Sequence, residues 1–216
     1  MTRLLRATVL GSFLAALSAA PVYSLPVLSE IFYDATGADA GQGFVELFGA
    51  AGTDVEGFTI EGVNGSNGEV TVTVVLTGSI PADGILVVAD EEDGGTSVPE
   101  SDLLANFDFQ NGPDSVVLRD ALGTVIDAVG YGEFGPGDVF AGEGEPVADP
   151  PAGSSIARIF ADVDTDSNVA DFGALESPTP GFAPVQSVPE PGSAILLASG
   201  GALLALLGAR RGVVRR

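Results

Sequence analysis

The chain has 216 residues, with 30 acidic side chains against 8 basic ones, all of them Arg, and it contains no His, Cys or Trp. Those absences exclude Ser-His-Asp and Cys-His nucleophile systems, thiolate or imidazole zinc sites and any disulfide framework. A net charge of -22 excludes nucleic acid as a partner, because phosphate binding rests on Lys and Arg displacing counterions.

The first 24 residues have the order of a secretory signal: Arg3 and Arg6, an apolar run over residues 7–20, then small residues Val22 and Ser24 ahead of a cut by signal peptidase. The protein is therefore expected to be exported. The chain as a whole, with 30 Gly and 14 Pro at 45% hydrophobic residues, is too apolar for a disordered chain and too punctuated for long helices. Residues 25–184 are expected to form one strand-rich domain, large enough to fold without staples.

Within that domain the apolar positions alternate. Val70, Val72, Val74 and Leu76 fall on one face and Thr71, Thr73 and Thr77 on the other, the pattern of a half-buried strand. Further strands are expected at residues 27–33, 44–48, 57–61, 85–89, 115–119, 124–131 and 155–160, which with 70–77 make a β-sandwich. The pairs Asn64-Gly65, Asn67-Gly68, Asp83-Gly84 and Asn111-Gly112 separate these segments and tolerate positive φ, so antiparallel hairpins follow. The one helix expected lies over residues 99–106, with Ser101 as its N-cap. No strand–helix–strand unit is available to carry a dinucleotide or a phosphate loop, and the glycine-rich stretch over residues 130–137 is a loop that binds no dinucleotide.

Two acidic clusters stand out. Asp162, Asp164, Asp166, Asn168 and Asp171 supply alternating oxygens that would converge on a hard cation such as Ca²⁺. The loop departs from an EF-hand at Ser167 and Gly173, and the competing reading is that these side chains cap turns. Asp90-Glu91-Glu92-Asp93 repel one another and should point into water or share a cation, the solvated loop being the favoured reading. Carboxylate-pair glycosidase chemistry lacks the aromatic platform that sugar stacking needs, so no catalytic residue is assigned and the chain is read as not an enzyme. Glu30 and Glu46 lie inside strand segments and should either face solvent or pair with a base. Only Arg119 and Arg158 are available within residues 25–188, and at least one of them is expected to contact a strand carboxylate.

Beyond the domain, residues 185–193 form a Pro-rich linker and residues 194–209 an apolar stretch followed by Arg210, Arg211, Arg215 and Arg216. As a helix those 16 residues rise ~24 Å, slightly short of a ~30 Å hydrocarbon core. They are expected to be a single transmembrane helix, with the arginines of residues 210–216 as a cytoplasmic tail and the domain on the periplasmic side of the inner membrane.

Two resemblances add to this reading. Val188-Pro189-Glu190-Pro191, with the apolar stretch and Arg210 and Arg211 after it, resembles the PEP-CTERM sorting signal of Gram-negative bacteria that make extracellular polysaccharide. It implies an exosortase as processing enzyme, cutting near the Pro-Glu-Pro. The segments Leu28-Ser29-Glu30-Ile31-Phe32-Tyr33, Gly43-Phe44-Val45-Glu46-Leu47-Phe48, Gly57-Phe58-Thr59-Ile60, the run from Ile80 through Ala89, Gly112-Pro113-Asp114-Ser115-Val116-Val117-Leu118, the run from Gly123 through Gly132, the run from Asp164 through Phe172 and Pro178-Thr179-Pro180-Gly181 occur in an order similar to that of the lamin tail domain. That family implies an immunoglobulin-like antiparallel β-sandwich, here with Phe58 where the pattern often carries Trp. Its nucleic-acid contacts are not carried over, since two arginines cannot supply a basic surface. The resulting expectation is an all-β, exported, non-enzymatic cell-surface or extracellular-matrix module, structural or adhesive, that requires no cofactor. Extracellular polysaccharide is its implied partner. The alternative is a calcium-dependent carbohydrate-binding or adhesion domain with Asp162, Asp164, Asp166, Asn168 and Asp171 as its metal ligands.

Overall fold

The computed structural model describes residues 25–186. The signal segment over residues 1–24, the motif Val188-Pro189-Glu190-Pro191, the apolar stretch over residues 194–209 and Arg210 and Arg211 lie outside the described residues. Among the described residues no helix is long and apolar enough to cross a membrane.

Ten strands and one helical turn follow in order: β1 (Val27–Phe32), β2 (Phe44–Phe48), β3 (Thr59–Asn64), β4 (Val70–Val75), β5 (Ile85–Asp90), β6 (Leu103–Ala105), β7 (Asp114–Arg119), β8 (Val125–Tyr131), β9 (Ser155–Arg158), α1 (Asn168–Asp171) and β10 (Phe172–Leu175). They make a six-stranded sheet in the order β10-β9-β1-β2-β5-β6 and a four-stranded sheet in the order β4-β3-β7-β8. The all-β sandwich expected from the alternation is thus present. Its core joins Ile31, Val45, Leu47, Leu86, Val88 and Ile156 of one sheet to Ile60, Val74, Val116, Leu118, Val129 and Tyr131 of the other. Each such side chain contributes ~1.5–3 kcal/mol through its removal from water. Phe58 packs partly buried against this core, so an aromatic smaller than Trp still serves at that place.

Three expectations need correction. Residues 99–106 are not helical: Leu103–Ala105 is a strand, and it pairs parallel with β5, so the sheets are not antiparallel throughout. The exposed edge of β5 wins over local helix preference. Asp102 Oδ2 accepts from Val87 N–H at 2.9 Å and Asp102 N–H donates to Val87 O at 2.9 Å, which ties the segment alongside β5. The one helix lies instead at α1, and β10 follows it directly as an edge strand paired with β9. The third concerns β4, whose inward phase holds only at one end: Val74 and Leu76 are buried, whereas Val70 is exposed.

Gly68, Gly84 and Gly112 have the positive φ that the Gly pairs suggested, but only the turn over residues 64–68 closes a hairpin, between β3 and β4, whereas Asp83-Gly84 and Asn111-Gly112 lie in connections that cross from one sheet to the other. Gly65 is different, since its φ is not positive. A Cβ there would collide with the Pro113 carbonyl oxygen, so close approach between chain segments is what demands glycine.

Both faces of the sandwich carry covers. Residues 139–147 lie over the outer face of β7 and β8, with Val139 N–H donating to Gly65 O and Ala141 N–H to Ser115 Oγ. On the opposite face the exit of the chain crosses β1 and β2, and this explains Glu30 and Glu46. Both are buried, and neither faces solvent nor pairs with an arginine. Glu30 accepts from Ser155 Oγ at 2.5 Å, Thr179 N–H at 2.9 Å and Thr179 Oγ1 at 2.9 Å. Glu46 accepts from Ser29 Oγ at 2.7 Å and Gly181 N–H at 2.8 Å. The two acids clamp the exit segment, and satisfied hydrogen bonds stand in for a counter-charge. Burial still pushes the Glu46 carboxyl up, against the pull of Ser29 and Gly181.

Candidate functional site

The polar chemistry inside the sandwich gathers at one end, where β1, β8 and β9 meet the loop before α1. Along β9, Arg158 is in phase with the core residue Ile156, and along β8, Asp127 is in phase with Val129 and Tyr131. Alternation therefore drives two opposite charges inward from opposite sheets. They meet: Arg158 Nη2 donates to Asp127 Oδ2 at 2.8 Å, with both side chains fully buried. β1 closes the junction, because Leu28 N–H donates to Asp127 Oδ2 at 2.6 Å and Leu28 O accepts from Arg158 Nε at 2.9 Å. One strand's peptide groups thus hold both partners of an inter-sheet ion pair.

The rest of the guanidinium meets the acidic loop. Nη1 donates to Val163 O at 3.0 Å and lies 3.3 Å from Asp171 Oδ2 and 3.4 Å from Asp164 Oδ1. The Phe172 ring lies 4.4 Å from the guanidinium carbon, a further stabilising contact for a planar cation. The other base, Arg119, reaches Glu61 of β3 at 2.7 Å near the surface, a pair worth less than ~1 kcal/mol. Both arginines thus contact strand carboxylates.

The residues singled out in the acidic loop separate into different roles. Asp164 and Asp171 come together at Arg158. Asp171 also accepts from Thr165 N–H and Thr165 Oγ1, each at 2.8 Å. Asp162 turns away and accepts from Gln186 N–H at 2.6 Å. Asp166 is exposed, with a φ of 54°. Asn168 is buried and fully committed: its Oδ1 accepts from Gly130 N–H at 2.8 Å and Glu143 N–H at 2.9 Å, and its Nδ2 donates to Ala128 O at 2.8 Å. Asn168 therefore pins residues 142–145 against β8, and its own N–H donates back to Glu143 O at 2.9 Å. Gly142 is required at that crossing, as a Cβ would collide with both Asn168 Oδ1 and the Gly130 nitrogen.

That crossing delivers Glu143 to the ion pair, and this the sequence reading missed. One oxygen from each of Asp127, Glu143 and Asp164 lies within 4.8 Å of the others. Burial pushes the Glu143 carboxyl up to about 7, helped by the negative fields of Asp127, Asp164 and Asp166 and opposed by Arg158. Burial also pushes Asp127 up, against Arg158 and the Leu28 N–H. The second acidic cluster holds nothing comparable. Asp90 is buried as a structural acceptor from Gly41 N–H and Phe107 N–H, while Glu91 is half-buried and Glu92 and Asp93 are exposed.

Glu143 gives a pH prediction for the chelator-treated protein. Its folded-state value lies above the ordinary carboxylate range, so its contribution to stability is fully present below pH ~4.5 and is lost as pH rises through about 7. The groups acting on it are Asp127 of β8, Asp164 and Asp166 of the loop, and Arg158 of β9. Between pH 5 and 8 the melting temperature of the unmodified chain is expected to fall more steeply than that of Glu143→Gln. Parallel curves from differential scanning calorimetry would contradict this.

No family model matches the chain, and neither a curated protein nor a solved structure is significantly similar to it.

Proposed function

We propose that the protein is an exported, non-enzymatic module of the cell surface or extracellular matrix, structural or adhesive in role, and that its sandwich is an immunoglobulin-like domain of the lamin tail kind. The observation that carries the sorting part is the ordered triplet of Val188-Pro189-Glu190-Pro191, the apolar stretch over residues 194–209 and the arginines beginning at Arg210 and Arg211. Pro189 and Pro191 hold a strip extended and stop a helix from running into it, which suits a strip that a protease must reach. On this reading signal peptidase removes residues 1–24. The apolar stretch then holds the chain in the inner membrane with the domain on the periplasmic side, until an exosortase cuts at the motif.

The exit of the domain supports this arrangement. Glu30 and Glu46 clamp Thr179 and Gly181, Ala161 N–H donates to Pro184 O at 2.6 Å, and the Gln186 N–H is held by Asp162. Among the described residues the last such tie is at Gln186, two residues before Val188, so the clamped part of the domain reaches almost to the motif. The strong negative charge keeps such a module solvated and self-repelling in a matrix.

Membrane fractionation in a producing strain with and without its exosortase tests the proposal. In the parent strain the chain is expected to be shortened and to leave the inner membrane. Without the exosortase, or with Glu190→Ala, it should accumulate in the inner membrane with its tail intact. Release of a chain of unchanged length from the exosortase-deficient strain would contradict the sorting mechanism.

A further inference from the structure

We propose that Asp127, Glu143 and Asp164 form a binding site for a hard divalent cation of the size of Ca²⁺ at the β8–β9 end of the sandwich. The site goes beyond the surface-module reading and rests on geometry within the sandwich alone. Three carboxylates surround the single guanidinium of Arg158, from Asp127, Asp164 and Asp171, and Glu143 adds a fourth acid against them. The buried junction therefore carries excess negative charge that no base among the described residues offsets, since Arg119 is occupied at Glu61.

A second, independent observation points to a ligand. Asp127 is fully buried, its Oδ2 is taken by Arg158 and Leu28, and its Oδ1 has no hydrogen-bond donor from the protein. Glu143 Oε2 is likewise buried without a donor. An acceptor left in this state costs far more than one exposed to water, and two of them belong to the same three-residue group. One oxygen of each of the three lies within 4.8 Å of the others, close enough to share one ion, and a site built from protein carboxylates suits Ca²⁺, with its flexible coordination, better than Mg²⁺, which demands a strict octahedron and dehydrates reluctantly.

The ligand set differs from the loop read in the sequence. Asp164 is shared, but Asp162 is spent on Gln186 and Asn168 on Gly130, Glu143 and Ala128. Asp127 from β8 and Glu143 from the covering segment take their place. The loop, the covering segment and β8 then close on one ion, so cation binding tightens the same three pieces of chain that Asn168 already ties together.

Isothermal titration calorimetry on the full-length chain in detergent, freed of metal by chelator, tests the site with CaCl₂ and MgCl₂ at matched ionic strength. Ca²⁺ is expected to bind one equivalent with a Kd on the order of 10⁻⁴ M, as in extracellular modules, and at least tenfold more tightly than Mg²⁺. Glu143→Gln should weaken Ca²⁺ at least tenfold and Asp164→Asn to a similar degree, with both variants folded. Asp162→Asn should change the Kd by less than about twofold. Unchanged Ca²⁺ affinity in Glu143→Gln overturns the proposal. So does equal, salt-sensitive binding of Ca²⁺ and Mg²⁺, which marks a counterion atmosphere, and so does absence of binding at millimolar Ca²⁺.

Discussion

Arg158→Ala is expected to lower the melting temperature by roughly 6–20 °C. The guanidinium is fully buried and holds Asp127, Asp171, Asp164, Leu28 O and Val163 O together. Removing one partner of a buried pair leaves an uncompensated charge, at a cost of ~3–5 kcal/mol, and each kcal/mol shifts the midpoint by about 2–4 °C in a domain of this size. The pair is a device for joining the sheets rather than a source of net stability, so replacing both charges should restore much of the loss. Arg158→Met with Asp127→Leu is expected to melt well above Arg158→Met alone. A drop of under 2 °C in Arg158→Ala would show that the inter-sheet pair does not hold the junction.

Asn168→Ala is expected to cost ~3 kcal/mol or more, a fall of roughly 6–12 °C. Its amide serves three buried backbone groups, the N–H of Gly130, the N–H of Glu143 and the carbonyl of Ala128, and alanine leaves all three without partners. The adjacent Val169 is exposed, so Val169→Ala should stay within about 1 kcal/mol. Thermal unfolding of the two variants side by side separates the specific loss from general damage to α1. Equal and small shifts would mean that the 142–145 segment docks without Asn168.

The parts of this fold legible in the sequence are the apolar, β-branched runs of five to seven residues bounded by turn residues. β2, β5, β7 and β8 lie within a residue or so of their expected places, since one face of each packs on the common core and the other is buried under covering chain. β6 and β10 are short edge strands whose pairing is decided by a neighbour distant in sequence, and α1 is a single turn, so no local period marks them. Leu103-Leu104-Ala105 preceded by Ser101 reads as helix until β5 offers its edge.

Charge was legible where it sat among polar neighbours and obscure where it broke a pattern. The acidic loop announces itself, and two of its members, Asp164 and Asp171, do converge, but on Arg158. Asp127 and Arg158 gave a usable signal, since each occupies the inward phase of its strand together with Val129 and Ile156. Two opposite charges aimed into one core imply a meeting. Glu143 gave none: it lies in a Gly-rich stretch whose position depends on Asn168, 25 residues further on. The same holds for Glu30 and Glu46, whose outward phase suggested solvent until the exit segment covered them.

The most direct measurement of the central claim is the intact mass of the mature protein recovered from the surface or matrix of a producing cell. The account predicts a chain that begins at Leu25 and ends within residues 188–193, carrying the whole sandwich and the Gln186 tie but neither the apolar stretch nor Arg210 and Arg211. A recovered chain that retains residues 194–216 would contradict processing at the motif, and one that retains residues 1–24 would contradict export by signal cleavage.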